Sequence, residues 1–145
     1  ENENHKGLMQ SVILKTYEEI LENRQTSLFK SHNKNYKDGE QKRDFIYIKD
    51  CIKVLLWFMD NENISGIYNL GTGQSRTFFD LVYIVYKEMN KNLNLKFINM
   101  PDNIRKQYQY ETEADLSNIR KLGYKDSFFS LEEGIKNYIK SLINN

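Results

Sequence analysis

What most constrains this chain is the alternation of short runs of strand composition with segments of helical period. Ser27–Lys30, Asp44–Lys49, Ile67–Leu70 and Leu93–Met100 are each expected to be a strand or extended segment, Asp44–Lys49 on its β-branched and aromatic side chains. Pro101, the only proline, stops the last of them. Between them lie helical patterns. Met9, Val12, Ile13, Tyr17, Ile20 and Leu21 keep i, i+3, i+4 spacing across Leu8–Asn23. Cys51–Met59 carries Ile52, Leu55, Leu56 and Met59 on one face, with Asp50 placed to cap its start. Three boxes of the form Ser/Thr-x-x-acid open further helices: Thr77 to Asp80, Thr112 to Asp115 and Ser130 to Glu133. Gly123 is expected to close the second of these helices. The last has Leu131, Ile135, Tyr138, Ile139 and Leu142 on its apolar face. Asp38-Gly39, Asn63–Gly66 and Gly71-Thr72-Gly73 are turn signals. Interleaved strands and helices predict an α/β fold, with α+β as the alternative.

Ten Tyr, eight Phe and one Trp give a polar chain enough large rings for a packed core, either one domain or one part of a larger fold. Lys and Arg together number 21 against 20 for Asp and Glu, a net charge of +1 that argues against a nucleic-acid partner. The run His32–Arg43 mixes both signs and reads as a solvated loop. One cysteine, Cys51, excludes an internal disulfide or a multi-cysteine zinc site, and is expected to be a buried structural thiol. His32 has no second ligand at a metal-binding spacing, so no metal site is expected. No apolar stretch approaches the ~20 residues of a membrane span. The polar ENENHKG start has neither a signal-peptide core nor an initial Met, which predicts a truncated chain in a reduced, cytoplasmic setting.

Three clusters carry the chemistry. They are His5-Lys6-Gly7 with Met9 and Ser11, Arg43-Asp44-Phe45-Ile46-Tyr47-Ile48-Lys49-Asp50, and Gly66-Ile67-Tyr68-Asn69-Leu70-Gly71-Thr72-Gly73. The last two, in this order and at this spacing, resemble the extended short-chain dehydrogenases, which include nucleotide-sugar epimerases and dehydratases. The first cluster, the Tyr36–Arg43 loop and the stretch Pro101 to Asp115 with its Tyr108-Gln109 resemble, more narrowly, the ADP-L-glycero-D-manno-heptose 6-epimerases. The resemblance covers essentially the whole chain.

It implies a substrate-binding, C-terminal portion of a Rossmann-type fold, with residues 43–73 packing as the last elements of the dinucleotide-binding domain. No G-x-x-G-x-x-G follows a strand, and no Tyr-x-x-x-Lys stands in the needed context, so most of that domain is expected to be missing and the isolated chain inactive. The implied reaction is epimerisation of ADP-heptose at C6, in lipopolysaccharide core synthesis. NADP takes up hydride and returns it to the opposite face, while the protein orients the sugar and moves protons. Lys6 would be one acid/base and touch the cofactor, although unaided it reads as a solvated lysine. Arg43 would hold nucleotide phosphate, or else pair with Asp38, Glu40 or Asp44. Phe29, Lys30, Ser31 and His32 would lie along the nucleotide, with Phe29 alternatively in the core. Tyr108 would reach a sugar or phosphate oxygen, or be a structural tyrosine. Leu8 and Lys15 would stand at substrate positions where other members carry a small polar residue and a His. Gly71-Thr72-Gly73 is too short for a dinucleotide cradle and is expected to be a structural turn. A homo-oligomer, pentameric in the family, is implied. The alternatives are another nucleotide-sugar epimerase or dehydratase, and a non-catalytic binding or assembly domain.

Overall fold

The computed structural model describes residues 3–144. A 3-10 turn at Asn4–Met9, with Gly7 at φ 52°, precedes α1 (Val12–Leu21). The helix therefore starts later than its apolar period suggests, because the Ser11 side chain caps it by accepting from the Leu14 amide. Then follow β1 (Thr26–Phe29), β2 (Lys42–Arg43), α2 (Ile48–Asp60), β3 (Arg76–Thr77), α3 (Phe78–Glu88), β4 (Leu95–Ile98), α4 (Asp102–Arg105), α5 (Ser117–Lys121) and α6 (Leu131–Ile143). β1 pairs with β4 in parallel, Thr26 opposite Leu95 and Phe29 opposite Ile98. β2 pairs antiparallel with β3. The parallel pair with helical connections makes the class α/β.

The main core lies where α1, α3 and α6 meet the parallel pair. Ile20, Leu28, Leu81, Val82, Val85, Ile135 and Ile139 form it. A second cluster joins α2 to α5 through Val54, Ile119 and Tyr124, flanked by Trp57, Phe58, Leu116 and Phe128. Two of the three boxes form as read. Thr77 accepts from the Asp80 amide while Asp80 accepts from the Thr77 amide, and Ser130 and Glu133 do the same. Gly123, at φ 104°, ends α5: its amide bonds Arg120 O, and the Tyr124 amide bonds Ile119 O.

Four expectations are corrected. Asp44–Lys49 is not a strand; ladder pairing ends at Arg43, and α2 begins at Ile48. Asp50 consequently sits inside the first turn of α2 rather than capping it, wholly buried, and accepts from the Phe129 amide at 2.8 Å. Ile67–Leu70 pairs with no strand among the described residues, and Ile67 is 98% exposed. Strand composition marks a run able to pair, but a ladder needs a neighbour. Thr112 opens no helix. Asp115 instead accepts from the Ser117 amide two residues on, and α5 starts there. On α2 the inward side is Asp50 and Val54, whereas Ile52, Leu55, Leu56 and Met59 are exposed.

Candidate active site

A cleft of about 330 Å³ opens between α1, β1 and the segments carrying Arg43 and Tyr108. Phe29 and Leu28 come from β1, and Ile98 from β4. α1 contributes Val12, Lys15, Thr16 and Glu19, one helical face at i, i+3, i+4, i+7 spacing. Gln41, almost fully buried, donates its amide to the carbonyls of Phe29 (3.2 Å) and Lys30 (3.4 Å), which fixes the β1 end of the wall.

Tyr108 reaches Arg43 because the two loops that carry them are laced together. The Lys42 amide donates to Tyr110 O at 2.8 Å, the Tyr36 ring lies 5.1 Å from that of Tyr110, and the Tyr36 hydroxyl donates to Glu111. The Arg43 guanidinium then stands 5.1 Å from the Tyr108 ring centre and 5.8 Å from that of Phe78. It donates to its neighbour's carbonyl, Lys42 O. Among the described residues it has no ion pair, so the alternative pairing with Asp38, Glu40 or Asp44 is not formed. Burial pushes the Tyr108 hydroxyl pKa up, against the opposing charge of Arg43. A cation presented on two aromatic faces at a cleft mouth can receive a phosphate or other anion.

The Gly71-Thr72-Gly73 turn is occupied from within. The Asp44 carboxylate accepts from the amides of Thr72 (2.7 Å), Gly73 (2.9 Å) and Ala114 (3.1 Å) and from the Thr72 hydroxyl. Partial burial pushes its pKa up, but these four bonds outweigh it and hold the carboxyl below its ordinary range. A side chain at Gly71 would collide with Asp44 and Ala114. The turn is structural, as expected, and this tie joins the second and third sequence clusters.

Of the sequence-predicted residues, the structure brings Lys15, Phe29, Arg43 and Tyr108 to one cleft. The others lie elsewhere. Lys30 is exposed and its amide extends the parallel pair to Ile98 O. Ser31 donates its amide to Asp38 and its hydroxyl to Asn33 O, and the His32 amide donates to the Tyr110 hydroxyl at 2.7 Å. These three shape the loop. Lys6 is exposed in the first turn, 3.8 Å from the Glu3 carboxylate, and does not line the cleft. Leu8 lies in the same turn, and its side chain falls outside the described residues. Sequence reading missed Thr16, Glu19, Thr26, Gln41 and Phe78. The first two were legible as polar interruptions on the inward face of α1. The half-buried Cys51 thiol has its pKa pushed up by burial and by Asp50, which suits an inert thiol.

This is the fold of nucleotide-sugar epimerases. The structure of UDP-glucuronic acid 4-epimerase from Bacillus cereus in complex with UDP-glucuronic acid and NAD matches with a TM-score of 0.72 and 25% identity, over 92% of this chain and 40% of that one. Helicobacter pylori ADP-L-glycero-D-manno-heptose-6-epimerase matches with a TM-score of 0.74 and 27% identity, over 94% and 39%. In sequence, the chain is 42% identical to the ADP-L-glycero-D-manno-heptose-6-epimerase of Fusobacterium nucleatum, across 97% of this chain and 44% of that protein. It thus spans less than half the length of the relatives it matches. The model of the NAD dependent epimerase/dehydratase family matches residues 1–71.

That match corrects one expectation. The chain was expected to be a C-terminal, substrate-side portion alone, without most of the dinucleotide-binding domain and its glycine-rich motif. The family model instead matches residues 1–71, the N-terminal part of the chain, and the parallel β1–β4 pair is of the Rossmann-like kind, so a substrate-side portion alone does not describe it. The expectation rested on two literal motifs, the glycine-rich string and Tyr-x-x-x-Lys, whereas a family model weighs every position it aligns.

Proposed function

We propose that this chain serves the epimerisation of ADP-glycero-manno-heptose at C6, D-glycero to L-glycero, by transient NADP-dependent oxidation and re-reduction. The observation that carries the reading is Arg43, free of ion pairs among the described residues and held over Tyr108 and Phe78 at the mouth of the cleft that Phe29 and Lys15 also line. The 42% identity to a 6-epimerase supports the C6 reaction over that of the 4-epimerases. In this reading Arg43 holds the diphosphate, Tyr108 a neighbouring oxygen, and Phe29 the nucleoside.

Among the described residues, this reading sets Lys6 against the dinucleotide. The exposed Lys6 ammonium has only the 3.8 Å contact to Glu3 to hold it, whereas the Gly71–Gly73 amides are filled by Asp44. When bound, the nicotinamide supplies hydride transfer. Lys6 then moves a proton at the sugar oxygen. Residues 43–73 pack as elements of the dinucleotide-binding domain, a placement supported by the exposed apolar Ile52, Leu55, Leu56 and Met59 of α2. Assembly as a homo-pentamer rests on the family resemblance, and sedimentation equilibrium tests it.

The experiment for the reaction is Lys6→Met, which keeps the unbranched stem and removes the ammonium. Epimerisation is expected to fall by roughly 10²–10⁴-fold, the usual contribution of a general acid/base, with cofactor occupancy unchanged. Epimers that still equilibrate near the wild-type rate would remove Lys6 from the chemistry and return the assignment to the broader epimerase/dehydratase class.

A further inference from the structure

A second cavity, of about 250 Å³, lies between the Gly71–Gly73 turn and the start of α6 and shares no lining residue with the cleft. Its described lining carries two guanidinium groups, Arg76 and Arg120, and no carboxylate. The two cations are not equivalent. Arg76 is spent: Glu132 takes its Nη1 and Nη2 at 3.2 and 2.8 Å, and Asp80 takes its Nε at 3.3 Å. Arg120, half-buried, has no ion pair among the described residues. Its Nη1 donates to two backbone carbonyls, Tyr124 O at 3.0 Å and Asp126 O at 2.8 Å. The ring centres of Phe128 and Tyr124 lie 5.0 and 5.4 Å from the guanidinium carbon, which holds the group in place. The N–H donors on Nε and Nη2 meet no acceptor among the described residues. Glu113 and Asp115, which line an adjoining opening with Arg120, are engaged instead by the amides of Ser75 and Ser117.

We propose that this cavity is a second ligand site, separate from the proposed reaction, and that it takes a small phosphate monoester. The Nε–Nη2 edge of a guanidinium meets two oxygens of one oxyanion at once. A carboxylate has only those two to offer. A phosphate has a third, and the exposed side chains of Gln74 and Ser127 line the same cavity with no hydrogen bond among the described residues. The Thr72 hydroxyl cannot serve, because Asp44 holds it. The organic part of the ester meets the rings of Phe45, Phe128 and Phe129, which suit a flat or apolar body. One unpaired cation balances one phosphate group. The polyphosphate of a nucleotide would bring more negative charge than Arg120 can answer, since Arg76 already has two carboxylates.

The test uses Arg43→Ala protein, in which the cleft has lost its own cation, and titrates it calorimetrically with phenyl phosphate and with benzoate. Phenyl phosphate is expected to give a saturable one-to-one isotherm. Benzoate has the same ring but only a planar carboxylate, and should bind about tenfold more weakly, for want of one hydrogen bond to a charged group. Adding Arg120→Gln should weaken phenyl phosphate by about ten- to a hundredfold. Adding Ser127→Glu instead sets a carboxylate in the cavity at an exposed position and should weaken it as far, so this variant decides the matter if Arg120→Gln does not fold. Absence of an isotherm in the Arg43→Ala protein overturns the site, even where wild type binds, because that binding then belongs to the cleft. Benzoate as tight as phenyl phosphate overturns the choice of a phosphate. An affinity unmoved by Ser127→Glu, or by a folded Arg120→Gln, places the ester elsewhere and overturns the proposal.

Discussion

Arg43 shows how much one side chain can be asked to carry. Its guanidinium is not spent on a carboxylate, and two rings hold it in place, so an arriving phosphate meets a preoriented donor. Arg43→Ala is expected to raise KM for ADP-heptose more than it lowers kcat, because a contact remote from C6 acts equally on ground and transition states. The cost should be about 1.5–3 kcal/mol. Arg43→Lys should recover only part of it, since an ammonium lacks the planar fork. Steady-state kinetics decide the point, and an unchanged KM in the alanine variant would relegate Arg43 to packing. The importance of Arg43 was legible because its cluster had a recognisable form. Glu19 was not legible in the same way. Nothing in a helical spacing tells whether a glutamate on the inward face finds a partner, and that is settled only when Arg24 is set 3.8 Å from it.

At the scale of elements, what sequence revealed and what it hid divide along the range of the interactions. The caps at Thr77 and Ser130 and the Gly123 ending are local, made within a few residues, and they form as read. Asp44–Lys49 and Ile67–Leu70 have strand composition, but strand status is decided by a distant neighbour. Asp44 is instead drawn to the turn 28 residues away. Thr112 met every local requirement for a box, yet the helix starts only at Ser117, whose amide donates to the Asp115 carboxylate. The Asp44 tie can be measured directly. Asp44→Asn preserves shape but turns an amide NH2 toward amides that also donate, so a loss on the order of 1.5–3 kcal/mol is expected. Gly71→Ala should lose at least as much, since the new methyl meets Asp44 and Ala114. Urea unfolding of both variants gives the answer, and a midpoint unmoved in either would mean that the turn is held by something other than Asp44.

Two buried or half-buried carboxylates join distant parts of the molecule, which gives its stability a pH dependence. Asp44 ties β2 to the Gly71–Gly73 turn and to Ala114. Glu3 ties the first turn to α1 and α6, accepting from the Ser11 amide at 2.8 Å and the Tyr138 hydroxyl at 2.7 Å. Burial pushes the Glu3 pKa up, but the bonds from Tyr138 and Ser11 and the charge of Lys6 prevail and lower it. Both folded-state values thus lie below the ordinary ones, 3.8 for Asp44 and 4.5 for Glu3. On acidification the unfolded chain takes up these protons first, so stability is full above those values and drains as pH falls through the depressed ones. A plot of unfolding free energy against pH should therefore be level near neutrality with respect to these two groups and bend downward from about pH 4.5, steepening below about pH 4. Asp44→Asn should start lower at neutral pH and lose less on acidification, because its tie no longer titrates. Glu3→Gln should act likewise through the first turn, and the two effects should add, since the sites share no partner. Parallel curves for wild type and Asp44→Asn between pH 6 and pH 3 would show that the carboxylate bonds at Asp44 do not set the acid limit of the fold.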